Sequence, residues 1–586
     1  KWIEKKGKSD QDGSSGVYNP KDRTITWTIT ANDMEATLKN PVLTDVLPDG
    51  LTLKQATVQY WNGSAWGEAT DIQPDENGVY EIGNTTSGSD RVLNTKVLLT
   101  IVTKVPDEDY TAGVTNYKNK ASIAWDNHGE IGTGNVNVGI GYNAISKSGQ
   151  ISDKDNQTIQ WTVNVDPKGQ TIPDTTVYDL LLYGKEGSSK VTDLSAENIS
   201  ADVIKGLTPQ FNQKYKDSSF SGEGLNLEVL PVIKDGERVG DLLVITGFTS
   251  EKAAFNFESI VTNPDIFVSN TWKDVKNTAS LYSKDTKLNK ADAKVSYPSF
   301  MLKKEMIKRG YTDNPASGVN DVLDDGNNDG FDYQDKSAIF RISINADGLN
   351  LTNANGNPLG AVTLTDTLPD GWELSEITSG NDYLIFEGTA KNDWESSVIA
   401  KDTTPVTVDG LTHTKTANSI SLTFETLDKP YVVLIKAKPN AETLEKYFGK
   451  NSNNTVTNTV KMTSENWNTG IESKRNVTVK SSLLSKEAAL VEAGIVNWTV
   501  DYKPYELDNI FSKIEDTLPM GLDLRTDANG NLLLDGNIKI TELKLNADSS
   551  YTEGDVVTPV IGKDVSYDNE TRVLTFNIPE NTKAYR

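Results

Sequence analysis

Three residue types return in a fixed order along this chain. A lysine opens each stretch, an aspartate sits just before a turn, and an asparagine lies on a late strand-like segment. The lysines are Lys5, Lys147, Lys304 and Lys486, and each follows an aliphatic residue two positions back (Ile3, Ile145, Leu302, Leu484). The aspartates are Asp45, Asp179, Asp366 and Asp516, and the asparagines Asn119, Asn277 and Asn458. Lys6 and Lys303 adjoin the chosen lysines, so the register of the first and third sets is open by one position. If such a trio meets in a dry interior, burial decides the chemistry. A desolvated lysine loses its charge and becomes a nucleophile, and a desolvated aspartate gains a proton. The neutral amine attacks the asparagine carboxamide carbon, while the protonated aspartate hydrogen-bonds the carbonyl and shuttles protons. The product is a Lys–Asn isopeptide bond with ammonia released. It forms once per domain, so the process is self-processing and not turnover.

The elements that must position these residues read as strands. Thr24–Thr30, Thr158–Val165 and Gly494–Val500 alternate with period two around Trp27, Trp161 and Trp498, and Ala338–Ile344 takes the same place around Phe340. From this aromatic to the aspartate is 18 residues three times (27 to 45, 161 to 179, 498 to 516) and 26 in the third set (340 to 366). The aspartate turns read Leu43-Thr44-Asp45-Val46-Leu47-Pro48-Asp49-Gly50, Leu364-Thr365-Asp366-Thr367-Leu368-Pro369-Asp370-Gly371 and Ile514-Glu515-Asp516-Thr517-Leu518-Pro519-Met520-Gly521. Helical pattern is scarce, with Ser195–Leu207 and Asn440–Phe448 the best candidates. Many short strands with Asn-Gly and Asp-Gly turns predict an all-β chain of tandem immunoglobulin-like Greek-key sandwiches. The repeats are expected at 1–139, 140–296, 297–480 (with an acidic insertion) and 481–586, the last truncated and without its asparagine strand. Short linkers poor in Pro and Gly predict an elongated rod. In each sandwich the first and last strands are expected side by side, so that lysine and asparagine meet in the core. A bridge from Lys5 to Asn119 would close a loop of about 115 residues and remove roughly 5 kcal/mol of unfolded-state freedom by the chain-entropy argument.

Composition narrows the function classes. The chain has 586 residues and a formal net charge of −25, which disfavours nucleic acid and anionic membrane as partners. There is no Cys, which suits an exported protein that needs a staple other than a disulfide. The two histidines, His128 and His413, are far apart, so zinc and His-based catalysis find little support. No apolar run approaches the roughly 18 residues of a membrane span. No signal peptide is evident at Lys1 and no anchor after Arg586, so the chain is expected to be a piece of a longer exported protein. No hydrolase triad, phosphate loop or dinucleotide fingerprint occurs in a fitting context.

The phrase Asp-x-Leu-Pro-x-Gly after an aromatic strand, with an N-terminal Lys and a late Asn strand, resembles the collagen-adhesin-type domains of Gram-positive cell-surface adhesins and pilins. The likeness runs through nearly the whole chain as tandem copies. It implies immunoglobulin-like sandwiches, autocatalytic isopeptide bonds and a structural, adhesive role at the bacterial cell surface. It also implies cell-wall anchoring through regions outside this stretch, and a host or matrix protein or a surface glycan as partner. Repeat 2 departs from the pattern, since Leu180-Leu181-Leu182-Tyr183-Gly184 replaces the Leu-Pro turn. A plainer reading of Asp45 and Asp366 is that they form turns by bonding their own backbone, which explains Asp179 less well.

Two further features stand apart. Asp325, Asn327 and Asp329 have the alternate spacing of a calcium loop, with Gly330 at the sharp turn. The twelfth position is Lys336, so Asp332 or Asp335 would have to supply the missing oxygen of a Ca2+ site; otherwise this is a solvated acidic loop. Trp61 and Trp66 flank Asn62-Gly63-Ser64-Ala65 and either form a sugar- or protein-binding tip or cover the sheet in an ordinary hairpin. Trp27, Trp161 and Trp498 are expected to be core packing. Two alternative functions remain open at this stage: accessory carbohydrate-binding modules of a polysaccharide-active protein, and a self-assembling surface filament in which a neighbour supplies a missing strand.

Overall fold

The structure is a computed structural model, and it describes residues 1–7, 15–86, 88–106, 115–140, 144–167, 174–351, 359–525, 527–529, 533 and 537–586. The chain forms two compact units. One comprises Lys1–Asn263 with Asp274–Ser296, the other Pro264–Lys273 with Tyr297–Arg586. Both are built of antiparallel ladders arranged as facing sheets, as the period-two patterning predicts.

The third repeat shows the plan most fully. One sheet has the order Leu302–Met306, Ala338–Ile344, Tyr431–Pro439, Tyr383–Ala390, Val398–Ala400. The other runs Leu411–Lys415, Ser419–Phe424, Val362–Thr367, Ser452–Ser464, Trp467–Ser481. The second repeat follows the same plan. Ile145–Asp153 and Thr158–Val165 lie in one sheet, and Thr175–Leu182 sits between Glu237–Thr246 and Asn270–Ser283 in the other. In the first, Ile3–Lys6 pairs with Thr24–Ala31 while Val42–Thr44 lies between Ser122–Trp125 and Val79–Glu81. The inward positions of these strands carry the core, with Trp27, Trp161 and Phe340 fully buried.

This topology corrects one expectation. The lysine strand and the asparagine strand are not neighbours in one ladder; they belong to opposite sheets. The lysine strand is an edge strand whose inward side chains point across the sandwich. Two smaller corrections concern local structure. The helix expected over Ser195–Leu207 is confined to Ala201–Gly206, because Ser195 bridges to Ile233 and Ser200 caps the helix through Val203 N–H. The second helix, Ala441–Phe448, starts where expected, with the Asn440 side chain accepting from Thr443 N–H at 2.9 Å.

Within the second unit the third and fourth repeats share a core. Tyr505 packs against Phe448 with the rings tilted by 40° and their centres 4.7 Å apart, and contacts Tyr333 and Tyr551 at 5.9 Å each. The Tyr505 hydroxyl accepts from Ser482 N–H and the Tyr333 hydroxyl from Lys480 N–H, so both polar tips are satisfied. The Tyr333 backbone N–H reaches Ala547 and the Gln334 side chain reaches Leu545, stitching the repeats together. Tyr505 is therefore a joint as well as a core residue. Its replacement by alanine should destabilise the unit by about 3–5 kcal/mol. Calorimetry should then show separate transitions for the third and fourth repeats; an unshifted single transition would contradict the shared core.

Candidate functional site

In the first three repeats the edge strand delivers one lysine into the interior. Lys5 lies opposite Ile29, Lys147 opposite Val163 and Lys304 opposite Ile342, so each side chain shares a face with its neighbour strand's inward residues. Of the adjacent lysine pairs, Lys5 and Lys304 turn inward. Lys6 stays in solvent, and Lys303 pairs with Asp325 at 3.0 Å.

Each buried amine meets the aspartate of the facing sheet. Lys147 Nζ is 2.5 Å from Asp179 Oδ2, and Lys5 and Lys304 make the same contact with Asp45 and Asp366. The six side chains are at most 1 % exposed. An aromatic ring underlies each amine: Trp27 at 5.1 Å from Lys5, Trp161 at 5.6 Å and Phe257 at 4.8 Å from Lys147, and Phe340 at 5.1 Å from Lys304. The rings wall off water and offer their faces to whatever positive charge the amine retains.

Burial lowers the three amines and moves the second and third pairs toward a neutral form. Desolvation lowers the Lys5 amine to about 8, outweighing the attraction of Asp45. It also lowers Lys147 and Lys304, and raises Asp179 and Asp366 well above the usual carboxylate range. An uncharged amine beside a protonated acid is the state that nucleophilic attack on an amide requires.

The asparagines lie at the same place. Asp179 is opposite Ala279 and Asp366 opposite Val460, so Asn277 and Asn458 are two residues along on the same face. Both carboxamides adjoin the carboxyl closely enough to lower its pKa somewhat, although neither has a polar atom in regular hydrogen-bond geometry. Asn119 ends the strand Thr115–Asn119, just before Ser122 pairs with Thr44 beside Asp45. All three asparagines are buried, and both polar atoms of each side chain lack a hydrogen-bond partner; so does Oδ1 of Asp45, Asp179 and Asp366. A buried unmade hydrogen bond costs about 1–3 kcal/mol, so a threefold recurrence at one site is a chemical signal.

A supporting pair escaped the sequence reading. Trp27 Nε1 donates to Thr103 Oγ1 at 3.2 Å and Trp161 Nε1 to Ser259 Oγ at 2.9 Å. In each case the hydroxyl lies two residues beyond the ring's cross-strand partner, Ile101 or Phe257. Phe340 has no N–H, and the matching position, two beyond Ile435, is Ala437. The acceptor is present only where an indole must be held, a relation visible only once the ladder register is known.

The fourth repeat keeps the pair but not its seclusion. Lys486 Nζ is 2.5 Å from Asp516 Oδ1, with side chains 35 % and 18 % exposed. Trp498 lies under Lys486 at 4.3 Å and is 40 % exposed, which corrects the expectation that it is core packing.

The other sequence candidates lie elsewhere. In the acidic loop Asp325 faces Lys303 and Asp329 faces Arg309, at 3.0 and 2.5 Å. Asp332 accepts from the backbone N–H groups of Gln334 and Asp335, and Asp335 bonds Ser337 and Lys436. Asn327 accepts from Asp329 N–H. No group of three or more His, Cys, Asp or Glu that could hold a metal occurs among the described residues. Trp61 and Trp66 pack edge to face at 5.4 Å across a bridge closed by Asn62, with Lys96 over Trp61, so they cover the hairpin.

No family model and no curated protein sequence matches the chain. Solved structures with slight likeness include the C-terminal domain of the Streptococcus agalactiae AgI/II polypeptide BspA. That match has 11 % identity, covers 57 % of this chain and 99 % of the other, and has a TM-score of 0.23. A serine-rich repeat protein, Srr2, of the same organism shows 14 % identity over 57 % of this chain and 91 % of its own, with a TM-score of 0.17. A membrane-anchored protein of Corynebacterium diphtheriae described as putative shows 9 % identity over 82 % and 90 %, with a TM-score of 0.23. These likenesses are too slight to carry function.

The Lys5 titration yields a direct check. In an Asn119→Ala chain the folded state releases the Lys5 proton near pH 8, while the unfolded chain holds it to about 10.5. Between these values the unfolded state binds more protons, so stability should rise with pH by up to about 1.4 kcal/mol per unit. That gain is lost as pH falls through 8. Urea midpoints of Asn119→Ala against Lys5→Met/Asn119→Ala should diverge over this window; parallel curves would mean that Lys5 is not desolvated.

Proposed function

We propose that the first three repeats are each closed by a self-formed isopeptide bond, Lys5–Asn119, Lys147–Asn277 and Lys304–Asn458. Asp45, Asp179 and Asp366 act as the assisting acids. The observation that carries this reading is the threefold burial of an amine, a carboxyl and a carboxamide with no hydrogen-bond partner for the carboxamide. The amine nitrogen attacks the asparagine Cγ, the Cγ–Nδ2 bond breaks, and the proton lost by the amine passes through the aspartate to the leaving ammonia. The two carboxamide N–H donors depart with the ammonia and the new amide keeps one N–H. A hydrogen bond from the assisting carboxyl to the new carbonyl would satisfy the carboxyl oxygen that now lacks a partner.

The role that follows is structural. A chain of such sandwiches serves as a rigid stalk or fibre of a bacterial cell-surface adhesin, attaching to a host or matrix protein or a surface glycan. Regions outside this stretch would hold it to the cell wall. Force entering at the lysine strand passes through the bond to the asparagine strand, leaving residues 148–276 of the second repeat outside the loaded path. No enzymatic turnover is part of this reading. Among the described residues no helix is long and apolar enough to cross a membrane.

The intact mass of the denatured chain tests the chemistry. It should fall short of the sequence mass by three ammonia molecules, and Lys5→Ala, Lys147→Ala and Lys304→Ala should each restore one. A mass equal to the plain sum of residues would end the proposal.

Calcium in the acidic loop of the third repeat is a separate proposal, resting on the Asp325, Asn327, Asp329 spacing. The ion would have to displace Lys303 and Arg309. Chelation should lower the melting temperature of the intact chain and leave Asp325→Ala unaffected. A melting temperature indifferent to chelation would remove calcium from the account.

A further inference from the structure

Trp27, Trp161 and Trp372 are fully buried, but two other indoles meet on the surface. Trp272 and Trp394 are 45 % and 68 % exposed, and their rings stand 5.7 Å apart at 26° to each other. Both belong to the second compact unit. Trp272 lies near the start of the strand Asn270–Ser283, and Trp394 in the loop between Tyr383–Ala390 and Val398–Ala400. Neither takes part in the buried trios.

The pair is held in place by its surroundings. Phe300 is buried and stands edge-on to Trp272 at 6.4 Å. Ser396, two residues after Trp394, donates through Oγ to Asn270 Oδ1 at 3.0 Å, and the same oxygen accepts from the N–H groups of Met301 and Leu302. Within the loop Asn392 Oδ1 accepts from Trp394 N–H at 2.8 Å, and Lys391 N–H donates to Ser397 O. The strand of one indole and the loop of the other are thus tied through Asn270. The rings are fixed in the open before any ligand arrives, which lowers the cost of binding one.

Size, ring geometry and charge choose the occupant. The open part of the two indoles amounts to roughly 200 Å², far below the roughly 800 Å² per partner of a stable protein interface. A small ligand fits that area. Near-parallel rings do not surround a cation as the walls of an aromatic cage do. They suit a ligand with an apolar face, and a pyranose has one: its axial C–H groups pack on an indole while its hydroxyls point to the rim. The rim here is polar. Asn392 and Asp393 are exposed beside Trp394, and Glu395 is held by Lys391 at 3.2 Å. Asp393 enters no ion pair among the described residues, so its carboxylate is open to sugar hydroxyls. The carboxylates of this loop and a net charge of −25 repel acidic sugars, so the fitting ligand is neutral.

We propose that Trp272 and Trp394 form a binding platform for a neutral pyranose unit of a glycan, with Asp393 accepting hydrogen bonds from its hydroxyls. The proposal rests on the adhesive reading above and deepens it, narrowing the partner to a carbohydrate and giving it a place on the chain.

The full chain, labelled with a fluorophore, is applied to an array of neutral and acidic glycans, and the strongest hit is titrated in solution by intrinsic tryptophan fluorescence. Binding should be confined to neutral glycans. Trp394→Ala and Trp272→Ala should each weaken it by about tenfold. Asp393→Ala should weaken it by about threefold. Trp394→Tyr should bind better than Trp394→Ala, and Trp61→Ala should change nothing. Because Trp394 is largely exposed, its alanine variant should keep the parent melting temperature, which separates lost binding from lost fold. Silence of all neutral glycans, a preference for acidic ones, or binding that survives Trp394→Ala at full strength would overturn the proposal. So would a dimer in sedimentation that is lost in Trp394→Ala, since the indoles would then pair two copies of this chain. Adhesion of the same chain to an immobilised basement-membrane extract separates the two readings. Adhesion with a silent array defeats the platform alone, and no binding to either surface defeats the adhesive reading with it.

Discussion

Taking an ammonium and a carboxylate out of water costs several kcal/mol per ion, and no single ion pair reliably returns it. Three times in this chain a lysine and an aspartate are held in that position between two sheets, over an aromatic ring and away from solvent. The surrounding structure is organised around making this burial tolerable. The edge strand places the lysine, the facing sheet places the acid, and an indole fixed by a hydroxyl, or a phenylalanine needing none, closes the floor. Burial lowers the three amines and raises Asp179 and Asp366, which moves these groups toward the uncharged forms that attack on a carboxamide requires. Stability and chemistry thus arise from one constraint.

The intersheet placement matters mechanically. Within a sheet, the ladder already joins adjacent strands, and a further link would add little. Across the sandwich the layers are held by side-chain packing, the buried Lys–Asp contacts and scattered hydrogen bonds, so a covalent strut there would keep them from sliding apart. In the second and third repeats a bond at this position would also tie the strand by which the chain enters to the strand before the one by which it leaves. Such a bond would give an acidic, cysteine-free chain what a secreted protein usually takes from disulfides.

Much of this was legible in the residues. Period-two alternation around Trp27, Trp161 and Phe340 marked the strands, and the interval from aromatic to aspartate, 18 residues in the first, second and fourth sets and 26 in the third, marked the repeat. The inward lysine of each adjacent pair follows from strand alternation once the ladder partner is known, which is why Lys6 and Lys303 could not be set aside earlier. Sheet membership was not legible: sequence order says which strands exist, but which sheet the first and late strands join depends on long-range pairing. The same holds for Thr103 and Ser259, which lie far from the indoles they hold. The exposure of Trp498 was hidden for a related reason, since burial of a strand residue is decided by the strands that cover it. Ser195–Leu207 carried a helical pattern that a bridge to Ile233 overrode at its start.

The central claim is that lysine and asparagine are one covalent unit in each of the first three repeats. Tandem mass spectrometry of a protease digest tests it at the level of atoms. The account predicts a branched peptide in which Lys147 and Asn277 are joined through an amide, with equivalent species for Lys5–Asn119 and Lys304–Asn458. Recovery of the peptides containing Lys147 and Asn277 only as separate linear species, with the asparagine carboxamide intact, would contradict it.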